Sequence, residues 1–186
     1  MTCIAGAIKG TELWIGADAV SVQGCSAARV STQAKVFQVG EFLIGSAGTL
    51  RVQQILRYMF TPPAIDVDLV TYMVKVFVPA LRSVIKDNGG EIIDGSGNSQ
   101  LDGRYLIGVR GRLFEIDSSY AVFEAKAPYA AIGCADQEAL AAMFTATSLM
   151  AADITPKQIV ERGLLAAVEF DTSIRAPFTI LKLNGA

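Results

Sequence analysis

The sequence contains no histidine among its 186 residues. This absence excludes Ser-His-Asp and Cys-His catalysis, histidine-based zinc sites and a histidine general base. Gly-x-Ser-x-Gly, Walker-type and Gly-x-Gly-x-x-Gly motifs are missing as well. An enzyme built from this chain must therefore take its general base from another kind of group.

Cysteines are few and far apart, since Cys3, Cys25 and Cys134 form no Cys-x-x-Cys pair. The spacing indicates neither a zinc knuckle nor a disulfide framework, and it fits reduced thiols in a cytosol. The segment 1–6 lacks the basic region and the long apolar core of a signal peptide. We therefore expect a cytoplasmic protein that uses no metal or cofactor.

Long apolar runs and basic stripes are also absent. The most apolar stretch, residues 67–85, is interrupted by Asp68, Lys75, Pro79 and Arg82, so no uncharged span of about 18 residues exists for a membrane. The net charge is −2 with scattered Lys and Arg, which argues against a nucleic-acid partner. Yet 52% of the residues are hydrophobic and the mean hydropathy is +0.41. This excess favours apolar surface buried between subunits of a homo-oligomer.

The length predicts a single domain, 1–186, with strands and helices in alternating blocks. The sequence predicts strands over residues 3–8, 13–17, 36–39, 42–44, 104–109, 113–116, 120–123, 129–132 and 178–183. It predicts a helix from Thr49 to the pair Pro62-Pro63, and further helices over 66–87, 136–149 and 155–168. A surface loop is expected over 91–103. This order suits an α+β fold, a four-layer αββα sandwich of two antiparallel sheets, although pattern alone also allows three layers.

Local signals mark the ends of these helices. Asp66 is a plausible N-cap, and Asn88-Gly89-Gly90 is a strong stop. Pro79 falls inside the same helix and is expected to kink it. Thr155 and Gln158 form a capping box at the start of the last helix.

Six short motifs occur in order along the chain and together resemble one family. They are Thr2 directly after the initiator Met, Gly16-Ala17-Asp18, Ala34-Lys35-Val36-Phe37, Gly45-Ser46-Ala47-Gly48, Leu113-Phe114-Glu115-Ile116-Asp117 and Ile132-Gly133-Cys134. The sequence resembles proteasome β-type subunits and the HslV-type peptidases of bacteria, which begin with Met-Thr. Each motif is weak alone, but six in the family's order are jointly specific.

The resemblance implies a threonine endopeptidase of the N-terminal-nucleophile hydrolase superfamily. It implies homo-oligomeric rings that enclose the active sites, unfolded protein or peptide substrates, and a possible ATPase unfoldase as partner. Two alternatives remain open. One is a non-catalytic ring subunit with the same fold, and the other is an N-terminal-nucleophile amidase acting on a small amide.

Thr2, Asp18 and Lys35 would carry the chemistry in such a family member. A threonine hydroxyl needs a base, and a free α-amino group with a pKa of about 7.7–8.0 can serve. Both groups belong to one residue only after Met1 is removed. By resemblance, the charge of Lys35 favours the Thr2 alkoxide and Asp18 holds Lys35 in place, since a buried charge needs a partner.

Four further residues are candidates by the same resemblance. Gly45 is expected to offer its backbone N–H to the oxyanion. Cys134, Asp171 and Ser173 are expected to support the Thr2 amine, and Cys134 cannot act as a His-activated nucleophile in a chain without histidine.

The sequence departs from the family at four positions. Cys134 replaces the usual catalytic-loop serine, Val20 replaces an arginine, and Val22 replaces a threonine that lines the substrate channel. Near the C-terminus, Ile174 stands where spacing places the serine of the family's Asp-x-x-Ser motif. These departures bear on proton relay and substrate binding rather than on the fold.

Overall fold

The structure is a computed structural model that describes residues 1–21, 29–149 and 153–183. Within these residues the strands in chain order are β1 (Cys3–Lys9), β2 (Glu12–Asp18), β3 (Val20–Ser21), β4 (Arg29–Val30), β5 (Val36–Val39), β6 (Phe42–Ala47), β7 (Ile92–Ile93), β8 (Ser99–Gln100), β9 (Arg104–Val109), β10 (Arg112–Ile116), β11 (Val122–Glu124), β12 (Tyr129–Gly133) and β13 (Phe178–Lys182). The helices are α1 (Leu50–Tyr58), α2 (Leu69–Tyr72), α3 (Val78–Asp87), α4 (Asp136–Leu149) and α5 (Pro156–Phe170).

Two antiparallel sheets form the middle of the molecule. The first sheet has the strand order β12-β1-β2-β13, and the second has the order β11-β10-β9-β6-β5. The β1–β2 hairpin turns at Gly10, whose φ of 61° suits glycine better than other residues. The pairs β3–β4 and β7–β8 are short separate hairpins.

Three apolar clusters separate four layers. Side chains alternate along β1, so that Cys3 and Ala5 face α4 and α5 while Ile4 faces the second sheet. The cluster between the sheets gathers Ile4, Leu13, Ile15, Leu43 and Leu106. The cluster between the second sheet and α1–α3 is centred on Ile55, Tyr72, Phe77 and Phe114. The predicted four-layer αββα sandwich is confirmed.

The second predicted helix differs from its expectation in two details. Its N-cap is Asp68, whose side chain accepts from Thr71 N at 3.1 Å, rather than Asp66. Its middle, Met73–Phe77, is a π-helical turn between α2 and α3, and Pro79 is at the start of α3. Proline has no N–H to donate, so one backbone hydrogen bond of the helix is missing at Pro79. The wider π-helical turn before Pro79 accommodates this missing hydrogen bond.

The predicted surface loop at 91–103 contains the β7–β8 hairpin. The Asp94 carboxylate accepts from the backbone N–H groups of Ser96 and Asn98 at 2.8 Å each and so holds its turn. Strands of two residues are too short for the hydrophobic periodicity of the sequence to predict them. No helix among the described residues is long and apolar enough to cross a membrane.

Candidate active site

A buried ion pair between Asp18 and Lys35 forms the floor of the candidate site. Asp18 ends β2 and is 1% exposed, while Lys35 immediately precedes β5 and is 7% exposed. Lys35 Nζ lies 2.9 Å from each Asp18 carboxylate oxygen. The same carboxylate accepts from Cys3 N at 3.0 Å and from Val20 N at 3.2 Å. Asp18 therefore ties Lys35 to the start of β1 and to the end of β2.

Thr2 lies directly above this pair. Its Oγ1 donates to the Met1 carbonyl oxygen at 2.7 Å, and Lys35 Nζ donates to the same oxygen at 3.3 Å. The hydroxyl and the ammonium thus converge on one atom of the peptide bond that joins Met1 to Thr2. Met1 itself is 63% exposed, so this bond lies at the surface.

A line of polar groups runs from the Thr2 nitrogen to Asp171. Thr2 N donates to Cys134 Sγ at 3.3 Å, and Cys134 Sγ lies 3.9 Å from Ser173 Oγ. Ser173 Oγ donates to Asp171 Oδ1 at 2.5 Å, and Ser173 N donates to the same oxygen at 2.8 Å. The Ser173 donors hold the pKa of the Asp171 carboxyl below its usual range. The structure therefore brings all three of these sequence candidates to Thr2.

Ile174 has no part in this line. It is 1% exposed and packs in the cluster between the first sheet and the α4–α5 layer. Its backbone N–H donates to Asp171 O at 3.1 Å and closes a turn that presents the Ser173 hydroxyl to Cys134. The hydroxyl expected at 174 by spacing is thus supplied one residue earlier.

The thiol of Cys3 is close to the ion pair but is not a candidate nucleophile. Burial, and next the Asp18 charge, raise the pKa of this thiol to about 12. Its Sγ donates to Ala135 O at 3.7 Å in the core below α4. A thiol with this pKa stays protonated at neutral pH, and only the thiolate is nucleophilic.

Gly45 is not brought to the site, which corrects the sequence-based expectation. It lies within β6 and is paired with Val36 of β5 and Leu106 of β9. Ser46 N donates to Lys35 O at 2.9 Å on the β5 side. Because successive amides of a strand point to opposite neighbours, Gly45 N–H faces β9 inside the sheet. Gly45 instead allows close packing, since a Cβ there would collide with Ile4.

Gly48, the second glycine of the same motif, lines the candidate pocket instead. It follows the end of β6, precedes the α1 N-cap Thr49, and lines one pocket with Thr2 and Lys35. None of the described residues accepts a hydrogen bond from its N–H. A Cβ at this position would collide with the Asp102 carbonyl oxygen and lie 2.6 Å from the Tyr105 hydroxyl. Gly48 therefore has a backbone N–H without an acceptor among the described residues, and it lines the same pocket as Thr2.

The pocket above the ion pair has a volume of about 510 Å³. Gln53 and Asp102 contribute to its wall, and sequence analysis singled out neither of them. No short motif marks them, because residues distant in sequence meet there only in the folded sheet. Val20, the departure from arginine, is 2% exposed and also lines this pocket. Val22 lies outside the described residues.

In the described part of the chain, no group of three or more His, Cys, Asp or Glu side chains could hold a metal ion. A second cavity, an apolar groove of about 580 Å³, lies between α4 and α5. It shares no lining residue with the pocket at Thr2, whose polar groups mark the candidate site.

Comparison with known proteins finds similarity in structure alone. No family model matches the chain, and no curated protein matches it in sequence. The BPH protein of Thiobacillus denitrificans, solved in complex with epoxomicin, matches with a TM-score of 0.73 at 19% identity, covering 98% of this chain and 100% of that one. Eukaryotic HslV from Trypanosoma brucei matches with a TM-score of 0.67 at 15% identity, covering 98% and 99% of the two chains. Anbu, an ancestral β-subunit from Yersinia bercovieri, matches at 0.63 and 17%, covering 98% and 81%.

These similarities concern the fold, because all three identities are low. They extend over nearly the whole chain, and with BPH and HslV over nearly the whole of both chains. The resemblance inferred from the six motifs is thereby confirmed at the level of structure. The chain has the αββα sandwich fold of the HslV and proteasome-like peptidases.

Proposed function

We propose that this protein is a threonine endopeptidase whose nucleophile is the Thr2 hydroxyl after removal of Met1. The proposal depends on the convergence of Thr2 Oγ1, at 2.7 Å, and Lys35 Nζ, at 3.3 Å, on the Met1 carbonyl oxygen. Asp18 holds the Lys35 ammonium with both carboxylate oxygens. The Thr2 hydroxyl thus lies beside the oriented Lys35 ammonium and beside a nitrogen that becomes a free amine when Met1 is removed. Such an arrangement is typical of an activated nucleophile.

Removal of Met1 converts the Thr2 amide nitrogen into a primary amine next to the hydroxyl. An α-amino group titrates near neutral pH, so its unprotonated form can accept the hydroxyl proton. The Thr2 oxygen then bonds to the carbonyl carbon of the substrate, and the electron pair of the C=O bond moves to its oxygen. The Lys35 ammonium stabilises charge on the attacking oxygen, and the free Gly48 N–H in the same pocket donates to the new oxyanion.

Collapse of this intermediate re-forms the carbonyl and breaks the C–N bond. The leaving amine takes the proton from the Thr2 ammonium, and the acyl group stays on Thr2 as an ester. Water attacks this ester with the Thr2 amine as base, the acyl C–O bond breaks, the Thr2 oxygen takes the proton back from the ammonium, and a carboxylic acid leaves. Cys134, with Ser173 and Asp171 behind it, is a positioning group that keeps the amine beside the hydroxyl.

The wider expectations are part of the same proposal. Substrates are unfolded proteins or peptides, the chains assemble into homo-oligomeric rings in the cytoplasm, and an ATPase unfoldase is a possible partner. BPH in complex with epoxomicin and HslV have the same fold, which supports a peptidase over an unrelated hydrolase. A small-amide amidase with this machinery would instead cleave small amides and leave long unfolded chains intact.

A non-catalytic ring subunit would not need the arrangement seen here. A buried ion pair is often no more stabilising than well-packed apolar residues of similar size. Stability alone therefore does not explain why Asp18 and Lys35 are charged. Their position under Thr2, beside the open N–H of Gly48, supports a catalytic role. Val20 and Ile174, two of the departures from the family, leave this geometry intact.

Lys35→Ala tests the proposal. We expect it to lower kcat for peptide hydrolysis by on the order of 10² to 10³, because the ammonium acts mainly on the transition state. Lys126→Ala is the matched control, since Lys126 is exposed and outside the pocket. Both variants are compared with the parent at equal concentration after their assembly state is checked. If Lys35→Ala keeps more than about half of the parent rate, Lys35 has no part in the mechanism and the proposal fails.

A further inference from the structure

The pocket beside Thr2 carries one unpaired negative charge among its described residues. Asp102 lines the pocket and is partly exposed, and its carboxylate has no hydrogen-bonding or ion-pair partner in the described part of the chain. The other charged side chain that lines the pocket, Lys35, is neutralised by the two-oxygen contact with Asp18. Once Met1 is removed, and while the Thr2 amine is unprotonated, the pocket is therefore net negative before substrate binds.

Neighbouring cations are directed elsewhere. Arg104, two residues after Asp102, pairs with Glu115 and, at 2.6 Å, with Asp136. Arg57 reaches the Ala34 carbonyl and lies over the Phe37 ring, with its guanidinium carbon 4.5 Å from the ring centroid. Neither guanidinium contacts the Asp102 carboxylate, so its charge is available to a ligand.

A free acceptor on Gln53 adds to this preference. Gln53 is 5% exposed and lines the pocket, and its Nε2 donates to Ala34 O at 2.7 Å. Because this bond uses the amide nitrogen, Oε1 is the polar atom of the Gln53 side chain that still lacks a partner. Oε1 accepts from none of the described residues and is not fully buried. A nearly buried acceptor without a donor is best satisfied by an N–H from a ligand.

The position of Asp102 is fixed by its backbone. Its carbonyl oxygen accepts from the Tyr105 hydroxyl at 2.9 Å, and a Cβ on Gly48 would collide with that same oxygen. Gly103, with a φ of 99°, packs so closely that a Cβ there would lie 2.5 Å from Gly48 Cα. Asp102 is thus held next to Gly48, the proposed oxyanion donor, in the pocket that Thr2 also lines.

We propose that Asp102 and Gln53 make this site selective for peptides with a lysine or arginine side chain next to the cleaved bond. The proposal rests on the proposed peptidase function and names its substrate class. An ammonium or guanidinium group supplies a positive charge that pairs with the Asp102 carboxylate, and it supplies N–H donors from which Gln53 Oε1 can accept. The pocket volume of about 510 Å³ is in the range that accommodates an extended basic side chain.

Digestion of an unstructured protein, with mass-spectrometric mapping of the cut sites, tests this selectivity. We expect lysine and arginine to be enriched at one of the two positions that flank the cleaved bond. Cleavage mainly next to neutral or acidic residues would overturn the inference and leave the peptidase function standing. Absence of any cleavage by assembled protein lacking Met1 would overturn the proposed function itself, and this inference with it.

Asp102→Asn isolates the charge. We expect kcat/KM for a peptide with lysine at the selected position to fall about tenfold, while the matched glutamine peptide changes little. Asp102→Glu should restore most of the lysine preference, and Asp66→Asn, an exposed carboxylate outside the pocket, should leave it unchanged. An equal loss for both peptides in Asp102→Asn would show a structural role and contradict the inference.

A binding measurement covers the case in which Asp102→Asn does not fold. Calorimetry with Thr2→Ala, which cannot cleave, compares the lysine peptide with its glutamine counterpart. We expect tighter binding of the lysine peptide, by about fivefold or more at low salt, with the difference shrinking as salt screens the charge. Equal affinities at low salt would contradict the role of Asp102.

Discussion

At the scale of single residues, the Asp18 carboxylate has a structural as well as an electrostatic task. Its two oxygens accept from Lys35 Nζ and from the backbone N–H groups of Cys3 and Val20. These contacts join the start of β1 to the end of β2 and orient the ammonium toward Thr2. A conservative change at Asp18 should therefore affect stability and rate together.

We expect Asp18→Asn to destabilise the protein by about 3–5 kcal/mol and to impair turnover, because Lys35 is left buried without a counter-ion. Chemical denaturation and peptide hydrolysis measure the two effects. Glu41→Gln, which removes the exposed pair with Arg110 at 2.8 Å, is the control and should change the free energy of unfolding by less than about 1 kcal/mol. An Asp18→Asn protein as stable and active as the parent would contradict the assigned role of the ion pair.

Cys134 should make the protein sensitive to thiol reagents although the nucleophile is a hydroxyl. The thiol is exposed and lies 3.3 Å from the Thr2 nitrogen, so an alkyl group on sulfur crowds the catalytic amine. We expect iodoacetamide to inactivate the parent. Cys134→Ser should remain active and become resistant, whereas Cys3 is shielded by burial and by a pKa of about 12. Resistance of the parent, or unchanged sensitivity in Cys134→Ser, would contradict this assignment.

The sequence predicted Thr2, Asp18 and Lys35 as a set, and the structure brings them together. The sequence pointed to Gly45, rather than Gly48, as the donor to the oxyanion. The motif Gly45-Ser46-Ala47-Gly48 contains two glycines, and the position at which β6 ends determines which of the two has a free backbone N–H. The pocket residues Gln53 and Asp102 could not be predicted, since helix α1 and the loop before β9 meet only in the folded protein.

At the scale of elements, predictions were most accurate where a local signal specifies the structure. The capping box on α5 is present as expected, with Gln158 N donating to Thr155 Oγ1 at 3.2 Å and Thr155 N donating to Gln158 Oε1 at 2.9 Å. The choice of Asp68 over Asp66 as N-cap, and the π-helical turn before Pro79, were not predictable. Asp66 and Asp68 are both suitable N-caps by residue type, and only the folded backbone brings the Asp68 carboxylate to Thr71 N.

Thr155→Ala should lower the free energy of unfolding by about 1 kcal/mol, because the first turn of α5 loses its side-chain acceptor. Thr145→Ala is a useful comparison, since Thr145 Oγ1 only bonds back to Ala141 O at 2.9 Å within α4. We expect that change to stay within about 0.5 kcal/mol. Urea denaturation of the two variants and the parent measures the difference, and equal stabilities for both variants would contradict the capping role.

At the scale of the whole molecule, exposed apolar side chains fit the expectation of self-assembly. Phe144 and Leu149 of α4, and Leu165 and Phe170 of α5, are each more than half exposed. Patches of this kind commonly mark interaction surfaces. They agree with the high mean hydropathy from which burial between subunits was inferred, and homo-oligomeric rings remain a proposal.

The central claim is that Thr2 becomes the N-terminal nucleophile, and intact-mass measurement of natively expressed protein with epoxomicin tests it most directly. Epoxomicin is the ligand in the BPH complex that shares this fold, and its epoxyketone offers electrophilic carbons to a hydroxyl and an amine. The account predicts chains lacking Met1 that gain the mass of one epoxomicin, and no such gain in Thr2→Ala. Retention of Met1 in nearly every chain, or equal labelling of Thr2→Ala, would contradict it.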